Sequence, residues 1–281
     1  MSKQMTKVLV LGGRGLLGHA VYSYLTKSSQ LQVRATHHQP IKGWFKFDGR
    51  QPEPDLKAIF KLEPYDWVVN VIGLLQHDPS ATVAAYEEIN ADLPQKLAKL
   101  TQSLNYRLIH ISTDAVFAPD AGPVMEAAKP NPVDQYSQSK LAGEVTEKNC
   151  LTIRTSVIGM DPFHHRGLLE WALTQTEIGG FINQTWSGAT NLQLAQFILA
   201  AIKTEMTGLI HFAPLGPVSK FELLNRWVKL WPEKMIRVNA GQGTPVDRYL
   251  ITKYPSIHQA YQHDITQALK AIIKFEPEAY G

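Results

Sequence analysis

Short, unbroken apolar runs recur through the first three quarters of the chain, and segments of helical period lie between them. A strand that is buried on both faces has such a run, which is typical of a parallel sheet covered by helices. The alternation predicts βαβ crossovers and an α/β fold with a doubly wound parallel sheet. The apolar runs are Val8–Leu11, Leu31–Thr36, Trp67–Ile72, Leu108–Ser112, Leu151–Ile158 and Leu209–Phe212. The segments of helical period are Leu16–Lys27, Leu56–Leu62, Val83–Ser103, Gln135–Lys148 and Leu192–Glu205.

The pattern becomes irregular after Ile158, where glycine-rich and polar connections precede one more helix near Lys220–Trp231. Residues 190–213 nevertheless read as a helix and a strand that return to the first sheet. We therefore expect two interwoven lobes. The larger comprises residues 1–158 plus 190–213, and the smaller comprises residues 159–189 plus 214–281.

Composition and charge exclude several classes of protein. Of the 281 residues, 44% are hydrophobic and 19% are charged, a balance that excludes disordered and collagen-like chains. The formal net charge is only +3 and no basic cluster is present, so we expect no nucleic acid partner. The lone Cys150 cannot form an internal disulfide, which favours a reducing compartment.

The N-terminal residues resemble a signal peptide only faintly. Arg14 and His19 interrupt the apolar run that follows the mildly basic start of the chain. No apolar stretch approaches the ~18 residues of a membrane span. We therefore expect a cytoplasmic protein with no membrane partner.

A glycine loop follows the first apolar run and opens the first helix. Gly12, Gly15 and Gly18 fall at the spacing G-x-x-G-x-x-G. Glycines at such positions permit a tight turn, close approach of the backbone to a pyrophosphate, and close packing of helix on strand. The loop lacks the Gly-Lys-Ser/Thr ending of a P-loop, so nucleotide hydrolysis is not expected. The larger lobe is thus predicted to be an NAD(P)-binding Rossmann domain.

The residues after the second apolar run bear on the choice of cofactor. An acidic residue there would bind the ribose 2′-hydroxyl of NAD, but the chain reads Ala35-Thr36-His37-His38. With no carboxylate to repel a 2′-phosphate, and with Arg14 in the loop and Arg34 nearby, NADP(H) is favoured over NAD(H). Arg14 fits a solvated loop charge equally well.

Tyr136 and Lys140 stand four residues apart in a segment of helical period, so both side chains project from one face. A phenol is a poor acid near neutral pH, and a positive neighbour brings its pKa toward the working range. Thr113 and Asp114 end an apolar strand and should face the same crevice as the glycine loop. The alternative for this strand end is a helix cap or a turn. The combination predicts a site for proton transfer beside a bound dinucleotide.

Around these residues the chain carries a longer set of motifs. The segment Ile111–Phe117 reads Ile-Ser-Thr-Asp-Ala-Val-Phe and is followed by a Gly/Pro loop. The set comprises Gly12–Gly18, Asn70, Asn90-Ala91, Ile111–Phe117, Glu126, Asn131-Pro132, Tyr136, Lys140, Gly143-Glu144, Arg154-Thr155-Ser156 and Gly208–His211. In this set the chain resembles the extended short-chain dehydrogenase/reductase family, and within it the dTDP-4-dehydrorhamnose reductase (RmlD-like) branch. The resemblance covers most of the chain, is specific around Thr113, Tyr136 and Lys140, and is loose in the last third.

The resemblance implies hydride transfer between a nicotinamide and C4 of a nucleotide-linked 4-keto-6-deoxy sugar. Tyr136 would donate the proton, Lys140 would hold the nicotinamide ribose and lower the pKa of the tyrosine, and Thr113 would hydrogen-bond the carbonyl oxygen. The residues expected at the cofactor are Gly12, Arg14, Gly15, Leu17, Gly18, Thr36, His37, Asp48, Gly73, Tyr136 and Lys140.

The smaller lobe should select the substrate, a nucleotide sugar. Residues 70–76 depart from the alanine-rich pattern of the branch, which leaves the identity of the sugar open. Lys220 or Arg248 could meet the diphosphate, although a solvated surface role fits each equally well. The residues expected at the substrate are Asp114, Gln184, Trp186, Lys220 and Arg248.

Two alternatives to a reductase stay open. One is a nucleotide-sugar epimerase or dehydratase of the same family, for which Asp114 beside Thr113 keeps the option available. The other is a non-catalytic, NADP(H)-binding regulatory subunit. A metal site is not expected, because the adjacent pairs His37-His38 and His164-His165 cannot converge on one ion. The chain also leaves open whether it forms a homodimer.

Overall fold

The computed structural model describes residues 5–76, 78, 81–165 and 167–275, and within them strands and helices alternate as the sequence predicts. The strands are β1 (Thr6–Leu11), β2 (Leu31–His37), β3 (Phe45–Lys46), β4 (Trp67–Asn70), β5 (Arg107–Thr113), β6 (Gly122–Val124), β7 (Cys150–Thr155), β8 (Val157–Ile158), β9 (Glu177–Phe181), β10 (Thr185–Thr190), β11 (Gly208–His211), β12 (Leu215–Ser219), β13 (Arg237–Gly241) and β14 (Arg248–Leu250). The helices are α1 (Gly18–Thr26), α2 (Pro52–Leu62), α3 (Val83–Tyr86), α4 (Leu93–Ser103), α5 (Gln135–Ala142), α6 (Leu168–Leu173), α7 (Asn191–Lys203), α8 (Lys220–Val228), α9 (Pro255–Tyr261) and α10 (Ile265–Lys274).

The large sheet has seven strands in the order β11-β7-β5-β4-β1-β2-β3, and every pairing in it is parallel. From β1 the chain first builds outward through β2 and β3, and then returns to add β4, β5, β7 and β11 on the other side. The order therefore reverses between β1 and β4. In open α/β sheets, ligands bind outside the carboxyl ends of the strands at such a reversal. The doubly wound parallel fold predicted from the sequence is confirmed.

Alternate residues of β1 explain why its apolar run is unbroken. Val8 and Val10 are fully buried in the core that includes α7, whereas Leu9 and Leu11 are fully buried in the core on the opposite face. Each such side chain stabilises the fold by roughly 1.5–3 kcal/mol. Both faces of the sheet are therefore covered, as parallel sheets require.

Several predicted elements differ in extent from those observed, and two of them lie close to the predicted site. The run Leu151–Ile158 is two strands, because the chain leaves the large sheet at Ser156 and β8 pairs with β10 in a three-stranded sheet. The helix predicted over Gln135–Lys148 ends at Ala142. A Cβ on Gly143 would lie only 1.9 Å from the Asn90 carbonyl oxygen, so the chain after α5 is packed against another helix.

The remaining strands form small sheets: β12-β10-β8, β13-β9 and β14-β6. Their core includes Trp227, whose indole N–H donates to the Leu169 carbonyl oxygen, together with apolar residues of α8 and α10. The pairing of β14 with β6 ties residues near 248 to the loop that follows β5. The division into residues 1–158 plus 190–213 and 159–189 plus 214–281 stays a proposal. Among the described residues, no helix has the length and apolar character needed to cross a membrane.

Candidate active site

The carboxyl ends of β1, β2, β4 and β5 lie along one edge of the large sheet, because these strands are neighbours and parallel. Each of these ends leads directly into residues that the sequence predicts to be functional. The strands end at Leu11, His37, Asn70 and Thr113. The glycine loop and the Thr113 segment therefore share one crevice.

The glycine loop is shaped by steric limits at two of its positions. Gly12 has φ +86°, a conformation that side chains rarely adopt. A Cβ on Gly18 would lie 2.0 Å from the Gly12 carbonyl oxygen, so helix α1 packs directly on the turn. Gly15 is exposed, and a Cβ there would approach no atom nearer than the Gly12 carbonyl oxygen at 3.7 Å. The loop is thus a backbone surface open to a ligand at Gly15.

Thr36 and Leu17 support this loop from inside the protein. The Thr36 hydroxyl accepts a hydrogen bond from the Gly12 amide (3.3 Å), and its carbonyl oxygen accepts one from the Gly13 amide (3.0 Å). Thr36 is fully buried, and Leu17 packs against the core. Both were expected at the cofactor, and their contacts are those of residues that hold the loop in shape.

Basic side chains gather where β2 ends beside the loop. The guanidinium carbon of Arg14 lies 4.5 Å from the centre of the Phe163 ring, and its buried Nε finds no hydrogen-bond partner among the described residues. The rings of His37 and His38 are 4.1 Å apart. Burial lowers the pKa of His37, and the positive charges of His38, Arg14 and His164 lower it further. This corner is therefore suited to an anionic group.

Helix α5 presents Tyr136 and Lys140 to the crevice. A capping box between Asp134 and Ser137 fixes where the helix begins, which sets the direction of both side chains. Lys140 is buried, and its Nζ donates to the Ile111 carbonyl oxygen at 2.7 Å. Burial lowers the pKa of Lys140 to about 8, and the Glu144 carboxylate opposes that change.

Tyr136 is half-buried, and its ring meets that of Tyr86 edge to face at 6.0 Å. Burial raises the pKa of Tyr136 to about 12, a hydrogen bond with Thr113 opposes the rise, and the carboxylates of Asp114 and Asp134 add to it. The sequence led us to expect that Lys140 would lower this pKa. In the structure the Lys140 ammonium faces the Ile111 carbonyl oxygen instead, and burial of the phenol dominates.

Asn90 is a site residue that the sequence marked only as part of the family resemblance. It lies in a π-helical turn over Glu87–Asp92, where Leu93 donates to the Glu88 carbonyl oxygen. Pro94 has no N–H to donate to the carbonyl oxygen of Asn90, which favours such a widened turn. The Asn90 amide bonds to both the N–H and the C=O of Leu74 and to the Ser139 hydroxyl.

Gly73 leaves room in front of Lys140. A Cβ there would lie 3.4 Å from the Asn90 Oδ1 and 3.8 Å from the Lys140 Nζ. The residue is exposed, so this space is open to solvent. A Cβ there would make ordinary van der Waals contact with both atoms, so the lack of a side chain at Gly73 keeps the space beside Lys140 free. The open Gly15 backbone, the unpartnered Arg14 Nε and this space together fit a dinucleotide.

Arg248 on β14 pairs with Asp114, and Lys220 at the start of α8 lies close enough to interact with the charges of both. Arg248 donates from Nε to the Asp114 carboxylate at 3.2 Å and from Nη1 to the Phe117 carbonyl oxygen at 2.8 Å. Burial lowers the pKa of Lys220, Arg248 lowers it further, and Asp114 opposes the shift. The structure thus brings three of the five expected substrate residues together.

The other expected residues lie elsewhere or serve the fold. Trp186 is in the hydrophobic core, and its indole N–H donates to the Ser156 hydroxyl at 3.0 Å. Gln184 donates to the Thr244 carbonyl oxygen, and its buried Oε1 finds no partner within the described residues. Asp48 accepts a hydrogen bond from the Arg50 amide in the turn before α2. Trp186 therefore packs in the core, and its expected role at the substrate stays a prediction.

No group of three or more His, Cys, Asp or Glu side chains within the described ranges is arranged to hold a metal ion. His37 and His38 lie beside Arg14 at the end of β2, and His164 adds its charge to the same corner. His37, His38 and His164 thus lie near the glycine loop, and burial together with its neighbours lowers the pKa of His37.

Comparison with known proteins gives a consistent result. Residues 5–246 match the family model of the RmlD substrate binding domain. A dTDP-4-dehydrorhamnose reductase of Shigella flexneri is 27% identical over 223 residues, which cover 74% of this chain and 73% of that protein. Methionine adenosyltransferase 2 subunit beta of Bos taurus is 28% identical over 161 residues, 51% of this chain and 43% of that protein.

The fold is shared with solved structures. A dTDP-4-dehydrorhamnose reductase of Bacillus anthracis in complex with NADP has a TM-score of 0.77 and covers 96% of this chain and 99% of its own. At 18% sequence identity, this likeness establishes the fold alone.

Proposed function

Because the chain belongs to the RmlD substrate binding domain family, we propose that it reduces the 4-keto group of a nucleotide-linked deoxysugar, with NADPH as the hydride source. The observation that carries the proposal is the meeting of Thr113, Tyr136 and Lys140 in the crevice that the glycine loop also enters. A related dTDP-4-dehydrorhamnose reductase and a related dTDP-4-keto-6-deoxy-D-glucose reductase support the class of substrate.

The glycine loop and Lys140 would hold the cofactor, which supplies a hydride when it is bound. The Gly15 backbone and the N-terminus of α1 would face the pyrophosphate. Lys140 lies next to the open space at Gly73 and would bond the nicotinamide ribose there. Its present partner, the Ile111 carbonyl oxygen, uses one of its three donors.

Tyr136 and Thr113 would act on the carbonyl oxygen of the sugar. As negative charge develops on that oxygen, the Thr113 hydroxyl donates a hydrogen bond and the Tyr136 phenol transfers its proton. A phenol whose pKa burial has raised to about 12 holds its proton at neutral pH, so the acid is present in the required form.

Arg248 and Lys220 would bind the diphosphate of the nucleotide sugar. Both are cations at the mouth of the crevice, and Asp114 balances only one positive charge. An arginine fork bonds two phosphate oxygens at once, which fixes the orientation of the substrate as well as its affinity.

Preference for NADP(H) over NAD(H) follows from the corner formed by Arg14, His37 and His38. The Arg14 guanidinium would neutralise part of the charge of a 2′-phosphate, the imidazoles would offer it N–H donors, and no residue from 35 to 38 is a carboxylate that would prefer a 2′-hydroxyl. The buried Nε of Arg14, which lacks a partner among the described residues, would be free to bond that phosphate.

The proposal is tested by mixing the purified protein with NADPH and a panel of 4-keto nucleotide sugars while following the loss of NADPH absorbance. Net consumption of NADPH with one member of the panel is the expected result. Tyr136→Phe should lower kcat by about a thousandfold, since it removes the proton donor, and leave the NADPH Kd within about twofold. A wild-type rate in this variant would remove Tyr136 from the mechanism.

Two other functions predict different outcomes. An epimerase or dehydratase regenerates its bound cofactor, so product would form without net loss of NADPH. A regulatory subunit is favoured by the similarity to methionine adenosyltransferase 2 subunit beta, which is a part of another enzyme by its name. That alternative predicts NADPH binding with no turnover on any member of the panel.

A further inference from the structure

A buried ion pair lies directly behind Thr113 and Lys140. Arg154 donates from Nε to Oε1 of Glu144 and from Nη2 to Oε2, both at 2.7 Å. The side chains of Arg154 and Glu144 are only 4% and 9% exposed. Ser112 donates a third hydrogen bond to the same Oε1 at 2.7 Å. One carboxylate therefore receives three hydrogen bonds in the interior.

Glu144 connects two elements of the site. Ser112 is the residue before Thr113 in β5, and Lys140 lies in the last turn of α5, four residues before Glu144, which follows the helix. The chain between Lys140 and Glu144 is held by Gly143, which packs on the backbone of Asn90. Movement of the Glu144 carboxylate would thus shift both the strand end and the helix end that line the crevice.

Glu144 also supplies the negative charge that the buried Lys140 faces. Burial lowers the pKa of Lys140 to about 8, and within the described part of the chain Glu144 opposes this change. His110 on β5 faces Lys140 as well, but burial and the Lys140 charge lower its pKa, so it stays neutral. The direct partner of the ammonium is the Ile111 carbonyl oxygen, which is uncharged.

His211 contacts Arg154 on the side away from Glu144. Arg154 Nη1 lies 3.3 Å from His211 Nε2, and His211 Nδ1 lies 2.9 Å from the Ile251 carbonyl oxygen. The ring therefore donates from Nδ1 and accepts at Nε2, a tautomer assigned from these partners. Burial lowers the pKa of His211, which keeps the ring neutral. Arg154 thus balances Glu144 alone.

We propose that Glu144 is a positioning residue for the reaction: its buried carboxylate holds the strand end bearing Thr113 against the helix end bearing Lys140 and maintains the charge of Lys140. The proposal rests on the function proposed above for Lys140. It assigns to Glu144 an effect that depends on pH, which a purely structural role would not produce.

The test uses a charge-balanced pair of substitutions, Glu144→Gln with Arg154→Met, because removal of one partner would leave the other buried and unpaired. The matched control is Glu205→Gln with Arg107→Met. This exposed ion pair of 2.8 Å lies at the opposite end of β5. The titration of Lys140 is followed by NMR of 13Cε-labelled lysines, and the resonance is assigned with Lys140→Arg.

The wild-type resonance should titrate with a midpoint of about 8. In the double variant the midpoint should fall by about one pH unit, a tenfold change in the equilibrium, while the control should match the wild type. Turnover should then fall about fivefold at pH 8 and little at pH 6. The titration needs neither cofactor nor substrate. Its outcome therefore tests the role of Glu144 even if the wild type reduces no sugar.

An unchanged Lys140 midpoint in the folded double variant would overturn the proposal. If the double variant does not fold, Glu144→Asp tests the proposal instead. This variant keeps the negative charge but has a shorter side chain, which places its carboxylate farther from Ser112. In Glu144→Asp the kept charge should hold the Lys140 midpoint at the wild-type value while the altered bond to Ser112 lowers kcat about tenfold at all pH values, which separates the effect of position from the effect of charge. Wild-type turnover in Glu144→Asp would overturn it.

Discussion

The candidate site has two walls that are built in different ways. The sheet wall consists of the glycine loop at residues 12–18 with Thr113, Tyr136 and Lys140, and it follows the ends of neighbouring parallel strands. The lobe wall consists of Lys220 at the start of α8 and Arg248 on β14, a strand that pairs with β6. Arg248 bonds Asp114, a residue 134 positions earlier in the chain.

The positions of the residues in the two walls are fixed by different kinds of contact. On the sheet wall the positions depend on backbone contacts with no spare room, such as Gly18 against the Gly12 carbonyl oxygen and Gly143 against that of Asn90. On the lobe wall the position of Arg248 depends on a side-chain ion pair with Asp114, whose two partners are 15% and 14% exposed. We therefore expect changes in the sheet wall to affect folding and cofactor binding, and changes in the lobe wall to affect the substrate alone.

Gly18→Val should have the largest effect. Its side chain would overlap the backbone of the Gly12 turn, so we expect a loss of about 3 kcal/mol or more in the free energy of unfolding and no measurable NADPH binding. Urea denaturation and NADPH fluorescence measure both quantities. Gly179→Ala is the control, because a Cβ there meets no atom within 4 Å. A stable Gly18→Val that binds NADPH would break the distinction between the walls.

Arg248→Met should have a smaller and more selective effect. It removes a cation from the expected diphosphate site, so KM for the nucleotide sugar should rise about tenfold, or about 1.4 kcal/mol, while the NADPH Kd stays the same. Steady-state kinetics give the KM for the nucleotide sugar, and a fluorescence titration gives the Kd for NADPH. Arg237→Met, an exposed arginine on β13 of the same lobe, is the control. A matching loss of NADPH affinity would show that the walls are not independent.

The dependence of cofactor affinity on pH should be the smallest of these effects. Burial keeps the pKa of His37 low, so the free protein holds a neutral ring near pH 7. A 2′-phosphate would favour the protonated ring, and NADP+ should therefore bind about threefold to tenfold more tightly at pH 6 than at pH 8. NAD+ should show no such change, and His37→Gln should abolish it for NADP+. Calorimetric titrations measure both affinities at pH 6 and pH 8. An equal change in affinity for NADP+ and NAD+ would show that His37 does not bind the 2′-phosphate.

The sheet wall was predictable because its signals are local. Unbroken apolar runs mark β1, β2, β4 and β5, and the hydroxyl and carboxylate of Thr113 and Asp114 stand at the end of one of them. The end of α5 at Ala142 was not predictable, since it depends on contact between Gly143 and the backbone of Asn90 in a distant helix. The break after β7 likewise depends on the pairing of β8 with β10.

For the lobe wall, the sequence predicted which residues are involved but not which contacts they make. Arg248 and Lys220 were named as cations, whereas the bond to Asp114 joins residues far apart in the chain. Helix α10 was missed although its sequence carries the signal. Asp264 caps its first turn, and the buried positions Ile265, Ala268, Leu269 and Ile272 follow the helical period. Trp186 was assigned to the substrate because tryptophans serve both cores and sugar sites, and only packing distinguishes them.

The central claim is that this chain transfers a hydride from NADPH to C4 of a nucleotide-linked sugar with Tyr136 as the proton donor. The most direct measurement uses NADPH deuterated at C4 of the nicotinamide, with mass spectrometry and NMR of the sugar product. The account predicts one deuterium at C4 of the reduced sugar with the wild type and no labelled product with Tyr136→Phe. Unlabelled product, or labelled product from Tyr136→Phe at the wild-type rate, would contradict it.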